Sequence, residues 1–121
     1  MIRDPVCTHG NTPVIRCIEK MRLEQVDSVL ITDQKGHLLG ILTARRAQRE
    51  ENKSLPVEKV MRTGPATCPP DQNIVDILRV VNEEGLSSIP VVNEDNELEG
   101  LITKSSLLTT LSQQYLDLKE E

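Results

Sequence analysis

Phenylalanine and tryptophan are missing from this 121-residue chain, and Tyr115 is its only aromatic residue. Single-stranded nucleic acid is usually held by stacking on aromatic rings within a cationic groove. One ring and a formal net charge of -5 provide neither feature, so nucleic acid is not expected as a partner. Long hydrophobic runs are also missing: stretches such as Val29-Leu30-Ile31 fall far short of the roughly 20 apolar residues of a spanning helix. A soluble protein without direct membrane insertion is expected. Cysteines number three, an odd count that fits a reduced, cytoplasmic setting better than a disulfide framework. No phosphate-binding Gly-x-x-x-x-Gly-Lys-[Ser/Thr] sequence occurs, so any ATPase that this chain serves lies elsewhere. Met1 running directly into the first ordered unit points to an excised fragment of a longer protein.

What the chain does contain is itself, twice. Gly40-Ile41-Leu42-Thr43 returns as Gly100-Leu101-Ile102-Thr103, Ser28 as Ser88 and Pro5 as Pro65, all at a constant spacing of 60 residues. A gapless offset is the mark of one duplicated supersecondary unit. The copies are expected over residues 1–50 and 61–118, joined by a linker at 51–60. None of the cysteines is echoed: Cys7, Cys17 and Cys68 correspond to Thr67, Ile77 and Thr8.

Each copy reads as strand, helix, strand, strand, helix, an α/β (α+β) unit, and the two are expected to pack as a pseudo-twofold pair. Val6-Cys7-Thr8 and Ala66-Thr67-Cys68 are the opening extended segments. Asn11-Thr12-Pro13 predicts a capped helix start, with Asp71 after Pro70 filling the same role in copy two. Val14, Cys17, Ile18 and Met21 keep helical spacing, as do Ile74, Ile77, Leu78 and Val81, so each helix turns one apolar stripe to the core. Gly85 is a plausible helix stop. Ser28–Thr32 and Leu38–Leu42 form a hairpin across Asp33-Gln34-Lys35-Gly36, and Ser88–Val92 with Leu98–Ile102 another across Asn93-Glu94-Asp95-Asn96. Thr43 and Thr103 then stand where a second helix begins. Glu50–Ser54 reads as a charged hinge, and Val57–Met61 as one helical turn.

This order of elements, the repeat length and the Gly-h-h-Thr sequence (h apolar) closing each hairpin resemble a tandem pair of CBS domains, the module named after cystathionine β-synthase. The resemblance covers Ile2 to about Leu111. It implies two copies packed face to face, a homodimer built through the pairs, adenine nucleotides in the clefts between copies, and a regulatory role without catalysis. Arg62-Thr63-Gly64-Pro65, Ile89-Pro90-Val91-Val92-Asn93-Glu94-Asp95 and Gly100-Leu101-Ile102-Thr103-Lys104, followed by Gln114-Tyr115-Leu116, are similar to the C-terminal CBS pair of ATP-binding subunits of osmoprotectant (glycine betaine, carnitine, choline) ABC transporters. There the resemblance implies inhibition by cyclic di-AMP or a response to ionic strength, with an ABC ATPase domain as the tethered partner. A stand-alone pair binding AMP or ATP, or a ligand-free dimerisation scaffold sensing salt, are the alternatives.

The candidate ligand-binding set is Val26, Ser28, Thr43, Arg45, Arg46, Ser88, Leu101, Thr103 and Lys104. The glycines of the Gly-h-h-Thr sequences would allow close backbone approach, and the threonines put hydroxyls beside free N–H groups that favour anions. Arg45, Arg46 and Lys104 add positive charge in the first helical turns, where it opposes the helix dipole and where an anionic ligand would explain it. The plainer reading is that the threonines only cap helices. Nucleotide-binding members of the family often continue Thr-x-x-Asp, the acid accepting from ribose hydroxyls. Here Arg46 and Ser106 stand instead, which favours a ligand whose ribose oxygens lie in phosphodiester links. Cys7, His9 and His37 lack structural-zinc spacing. The Asn93–Glu97 turn lacks the glycine and the twelfth-position acid of a calcium loop. His9 and His37 in loops make no catalytic constellation, and no cofactor is implied. Tyr115 reads as a packing or dimer contact.

Overall fold

Helix α1 (Val14–Glu24) forms where Val14, Cys17 and Met21 recur on one face, and all three are buried. Helix α3 (Ile74–Glu83) repeats the pattern with Ile77 and Val81 buried and Ile74 and Leu78 packed against them. The computed structural model describes residues 1–119, with side chains as far as Gln114; the packing role expected of Tyr115 lies outside the described residues. Among the described residues no helix is long and apolar enough to cross a membrane.

The helix starts depart from the sequence expectation. Pro13 occupies the cap of α1 without a side-chain hydrogen bond, and the Thr12 hydroxyl lies 2.7 Å from that of Thr8. Amides of Val14 and Ile15 instead donate to the carbonyls of Leu55 and Lys53, each at 2.9 Å. Glu50–Ser54 is therefore no free hinge. A helix start without a capping side chain must find other acceptors for its open N–H groups, and the connecting segment provides them. Beyond it a 3-10 turn at Val57–Lys59 buries Val57 and Val60 in the first core. In the second copy the cap is Asn73, not Asp71: its side chain accepts from the Val75 amide at 2.8 Å, a reach Asp71 lacks two residues earlier. Both helices end in the left-handed region, at Gln25 (φ 56°) and, as expected, Gly85 (φ 65°).

Strands β2 (Ser28–Thr32) and β3 (Leu38–Thr43) form one antiparallel hairpin, and β5 (Ser88–Val92) and β6 (Leu98–Thr103) the other. Strand β1 (Cys7–Thr8) runs parallel to β2, and its counterpart is a single bridge from Cys68 to Val91. The outer edges are exchanged. Strand β4 (Arg62–Thr63), which leads into the second copy, pairs with β3 of the first. Ile2, which leads into the first, pairs with Leu101 of the second at 2.8 and 2.9 Å. Helices α2 (Ala44–Arg49) and α4 (Lys104–Lys119) follow the hairpins.

The exchange corrects the reading of the two hairpin glycines. A Cβ on Gly40 would stand 2.7 Å from the Arg62 carbonyl, and one on Gly100 2.8 Å from that of Ile2. What approaches these glycines is the other copy's leading strand, not a ligand. The copies also meet at the hairpin tips, where Leu38 N donates to Asn96 O (3.0 Å) and Leu98 N to Gly36 O (2.9 Å). A third core of Leu30, Leu38 and Val92, backed by Ile41, Leu98 and Leu101, fills the seam.

Overpacking at either hairpin glycine should cost about 1–3 kcal/mol, because a backbone carbonyl cannot swing aside as a side chain can. Urea unfolding of Gly40→Ala and Gly100→Ala measures it. The Asp33 carboxylate accepts from the His37 and Lys35 amides, both at 2.9 Å, and lies 2.8 Å from His37 Nδ1. The His37 amide above all holds its pKa below the ordinary value. A lowered native pKa contributes stability above the unfolded value of about 4 and loses it as pH falls through the native one. The melting-temperature advantage of the natural chain over Asp33→Asn should therefore be present at neutral pH and vanish in a titration to strong acid.

Candidate ligand-binding clefts

Ser28 and Ser88 begin β2 and β5 on one face of the seam. The residue before each ties its hairpin to the following helix: Asp27 O accepts from Ala44 N at 2.8 Å, and Ser87 O from Lys104 N at 2.9 Å. Those bonds place Thr43 and Thr103 at the rims of two clefts. Each threonine caps a helix, its Oγ1 accepting from Arg46 N at 3.2 Å or Ser106 N at 3.1 Å.

The first cleft, about 640 Å³, is lined by Ser28, Thr43, Arg45, Arg46, Arg49, Arg62, Pro65, Glu84 and Ser88, among others. Its twin, about 840 Å³, is lined by Ile2, Asp4, Pro5, Val26, Ser28, Ser88, Leu101, Thr103, Lys104 and Leu108, among others. Asp27, Ser28, Ser87 and Ser88 belong to both, so the clefts adjoin along the seam. Each draws walls from both copies. The first has more polar walls, and the second is mostly apolar.

All nine residues singled out in the sequence lie on these walls. Thr43, Arg45 and Arg46 face the first cleft, Val26, Leu101, Thr103 and Lys104 the second, and Ser28 and Ser88 both. Sequence reasoning missed Arg49 and Arg62. Arg49 stands one turn beyond Arg45, a spacing that could have flagged it. Arg62 reaches the cleft only through strand exchange, which has no local signal. Because α2 has only six residues, Arg46, whose amide Thr43 caps in the first turn, also falls with Arg49 in the last turn, where cations are favoured, so the dipole gives no clear argument for a ligand at Arg46. Arg46 Nε donates to Val60 O at 2.5 Å, anchoring its guanidinium against the connecting segment.

The weaker candidate groups are engaged elsewhere. His9 Nδ1 lies 3.1 Å from Thr32 O, and His37 pairs with Asp33. Cys7 Sγ donates to Pro5 O at 3.2 Å. Burial pushes the thiols of Cys7, Cys17 and Cys68 up, disfavouring the thiolate a nucleophile requires. Asn93 Oδ1 accepts the Asp95 and Glu97 amides of its own turn.

The chain is similar to the glycine betaine/carnitine/choline transport ATP-binding protein OpuCA of Bacillus subtilis, with 30% identity over 108 residues. That match takes in 89% of this chain but only 28% of the relative, so the chain spans less than a third of that protein's length. A structure of Staphylococcus aureus OpuCA superimposes with a TM-score of 0.79 at 21% identity, covering 92% of this chain and 95% of that one. The CBS domain pair of protein MJ0100, solved in complex with 5'-methylthioadenosine and S-adenosyl-L-methionine, gives 0.82 at 18% identity, covering 92% and 90%. At such identities the structural matches establish the shared fold. The CBS domain family itself matches residues 1–51 and again residues 57–113. With the duplicated unit, the exchanged edge strands and the twin seam clefts, the chain belongs to the CBS domain family and carries the domain twice.

Proposed function

We propose that this CBS pair is a regulatory module that binds an adenine nucleotide, with cyclic di-AMP favoured, and controls an osmoprotectant ABC transporter from the cytoplasmic side. The carrying observation is that both clefts take walls from both copies. A ligand held there touches two bodies at once, so occupancy can alter the angle between them and, in a homodimer, the geometry of the assembly. A difference in affinity between two arrangements worth about 1–3 kcal/mol would suffice. The transporter context draws support from the likeness to the B. subtilis OpuCA protein. The adenine class draws support from the shared fold of the MJ0100 pair, which holds two adenosine-derived compounds. Preference for cyclic di-AMP follows from Arg46 and Ser106, which stand where a ribose-binding carboxylate would accept hydroxyl hydrogens. The module binds and relays, and catalysis belongs to the tethered ATPase domain.

A thermal-shift panel of AMP, ATP, S-adenosylmethionine, cyclic di-AMP and cyclic di-GMP tests the proposal, because a ligand that binds only the folded state raises the melting temperature by mass action. Cyclic di-AMP should give the largest rise. Thr43→Ala and Thr103→Ala should each cost about 1 kcal/mol as lost caps, and one or both should also shrink the ligand-induced rise. Tight AMP binding with no response to cyclic di-AMP would overturn the choice of nucleotide. A salt-dependent change in solution scattering with no nucleotide effect would replace sensing of a ligand by sensing of ionic strength.

A further inference from the structure

We infer that the twin clefts are chemically unequal, and that the first is a site for a phosphate-rich group while the second excludes one. Four arginines, Arg45, Arg46, Arg49 and Arg62, line the first cleft. At the corresponding positions of the other copy stand Ser105, Ser106, Thr109 and Ile2, so all four charges were gained or lost on one side only. Acidic residues on the first cleft are Asp27 and Glu84, leaving an excess of two positive charges. Lys104 faces Asp4 and Asp27 in the second, leaving an excess of one negative charge.

Among the described residues none of the four arginines forms an ion pair; the pairs present are Arg16 with Glu19, His37 with Asp33 and Arg79 with Asp76. Guanidinium groups gathered around one cleft without acidic partners repel one another, and in a chain of net charge -5 no general excess of base explains them. An anion with several oxygens relieves that repulsion and matches the planar donor fork of arginine, which pairs with phosphate through two parallel hydrogen bonds. Arg46 is already oriented by its bond to Val60 O, and Arg62 is brought to the cleft by its exchanged pairing with Ile41. The donors thus come from two elements, α2 and β4, and are numerous enough for a diphosphate or a pair of phosphodiester groups. This deepens the nucleotide-sensing reading and rests on it for the ligand class: the phosphates lie in the first cleft, and the second offers an apolar wall suited to an uncharged group.

The test is an amide-resolved NMR titration of the isotope-labelled chain with inorganic pyrophosphate. Shifts should appear at Thr43–Arg46 and Arg62 and be absent at Thr103–Ser105. The double variant Arg45→Ser/Arg49→Thr, which installs the residues of the other copy at exposed positions, should weaken binding about tenfold or more. Lys35→Ser, a remote turn charge, should change it by less than about twofold. Equal shifts in both clefts, shifts confined to the second, no shifts at all, or an unchanged affinity of the double variant would each overturn the inference. Pyrophosphate binding in the first cleft combined with a silent nucleotide panel would leave the charged site standing and remove the nucleotide reading. A nucleotide that binds without touching the first cleft would do the reverse.

Discussion

Gly40 and Gly100 let a strand from the opposite copy lie so close that its carbonyl occupies the space a Cβ would need. Each copy thereby completes its sheet with a segment that belongs, by chain order, to the other. Separating the copies would break both edge pairings and expose Leu30, Leu38 and Val92, so the seam holds a small core of its own. The clefts lie along the seam that this arrangement creates. Their walls combine strand starts and helix starts, tied together by the Asp27 and Ser87 carbonyls, with the connecting segments around Pro5, Val26, Pro65 and Gly85.

Duplication makes the molecule its own comparison. Where the copies agree, the fold demands it: the hairpin glycines, the capping threonines and the two serines at the strand starts recur because backbone approach, open N–H groups and the narrow seam recur. Where they differ, local solutions diverge. One helix start is satisfied by the Asn73 side chain, and the other by carbonyls of the connecting segment. One hairpin turn is closed by Asp33 with His37, the other by Asn93 with Glu97. The same freedom allowed charge to accumulate in one cleft and not in its twin, without disturbing the strands beneath.

Much of the fold was legible because its signals are local. Burial every three to four residues along α1 and α3, the turn residues of both hairpins and the threonine caps each depend on neighbours within a few positions, and the structure agrees with them nearly to the residue. The helix starts were misread for the same reason. Asn11, Thr12 and Asp71 have capping chemistry, but which residue caps depends on where the chain enters the helix, and for α1 that was settled by residues some forty positions away.

By itself, then, the sequence determined the unit, its duplication and the residues that border a seam, since periodicity and turn chemistry are short-range properties. Only the tertiary structure decided that the hairpin glycines receive a strand, that Arg62 crosses to join Arg45 and Arg46, and that four positive charges border one cleft. Strand exchange joins residues far apart in the chain through backbone hydrogen bonds, and those bonds carry no mark in the side chains that a sequence displays.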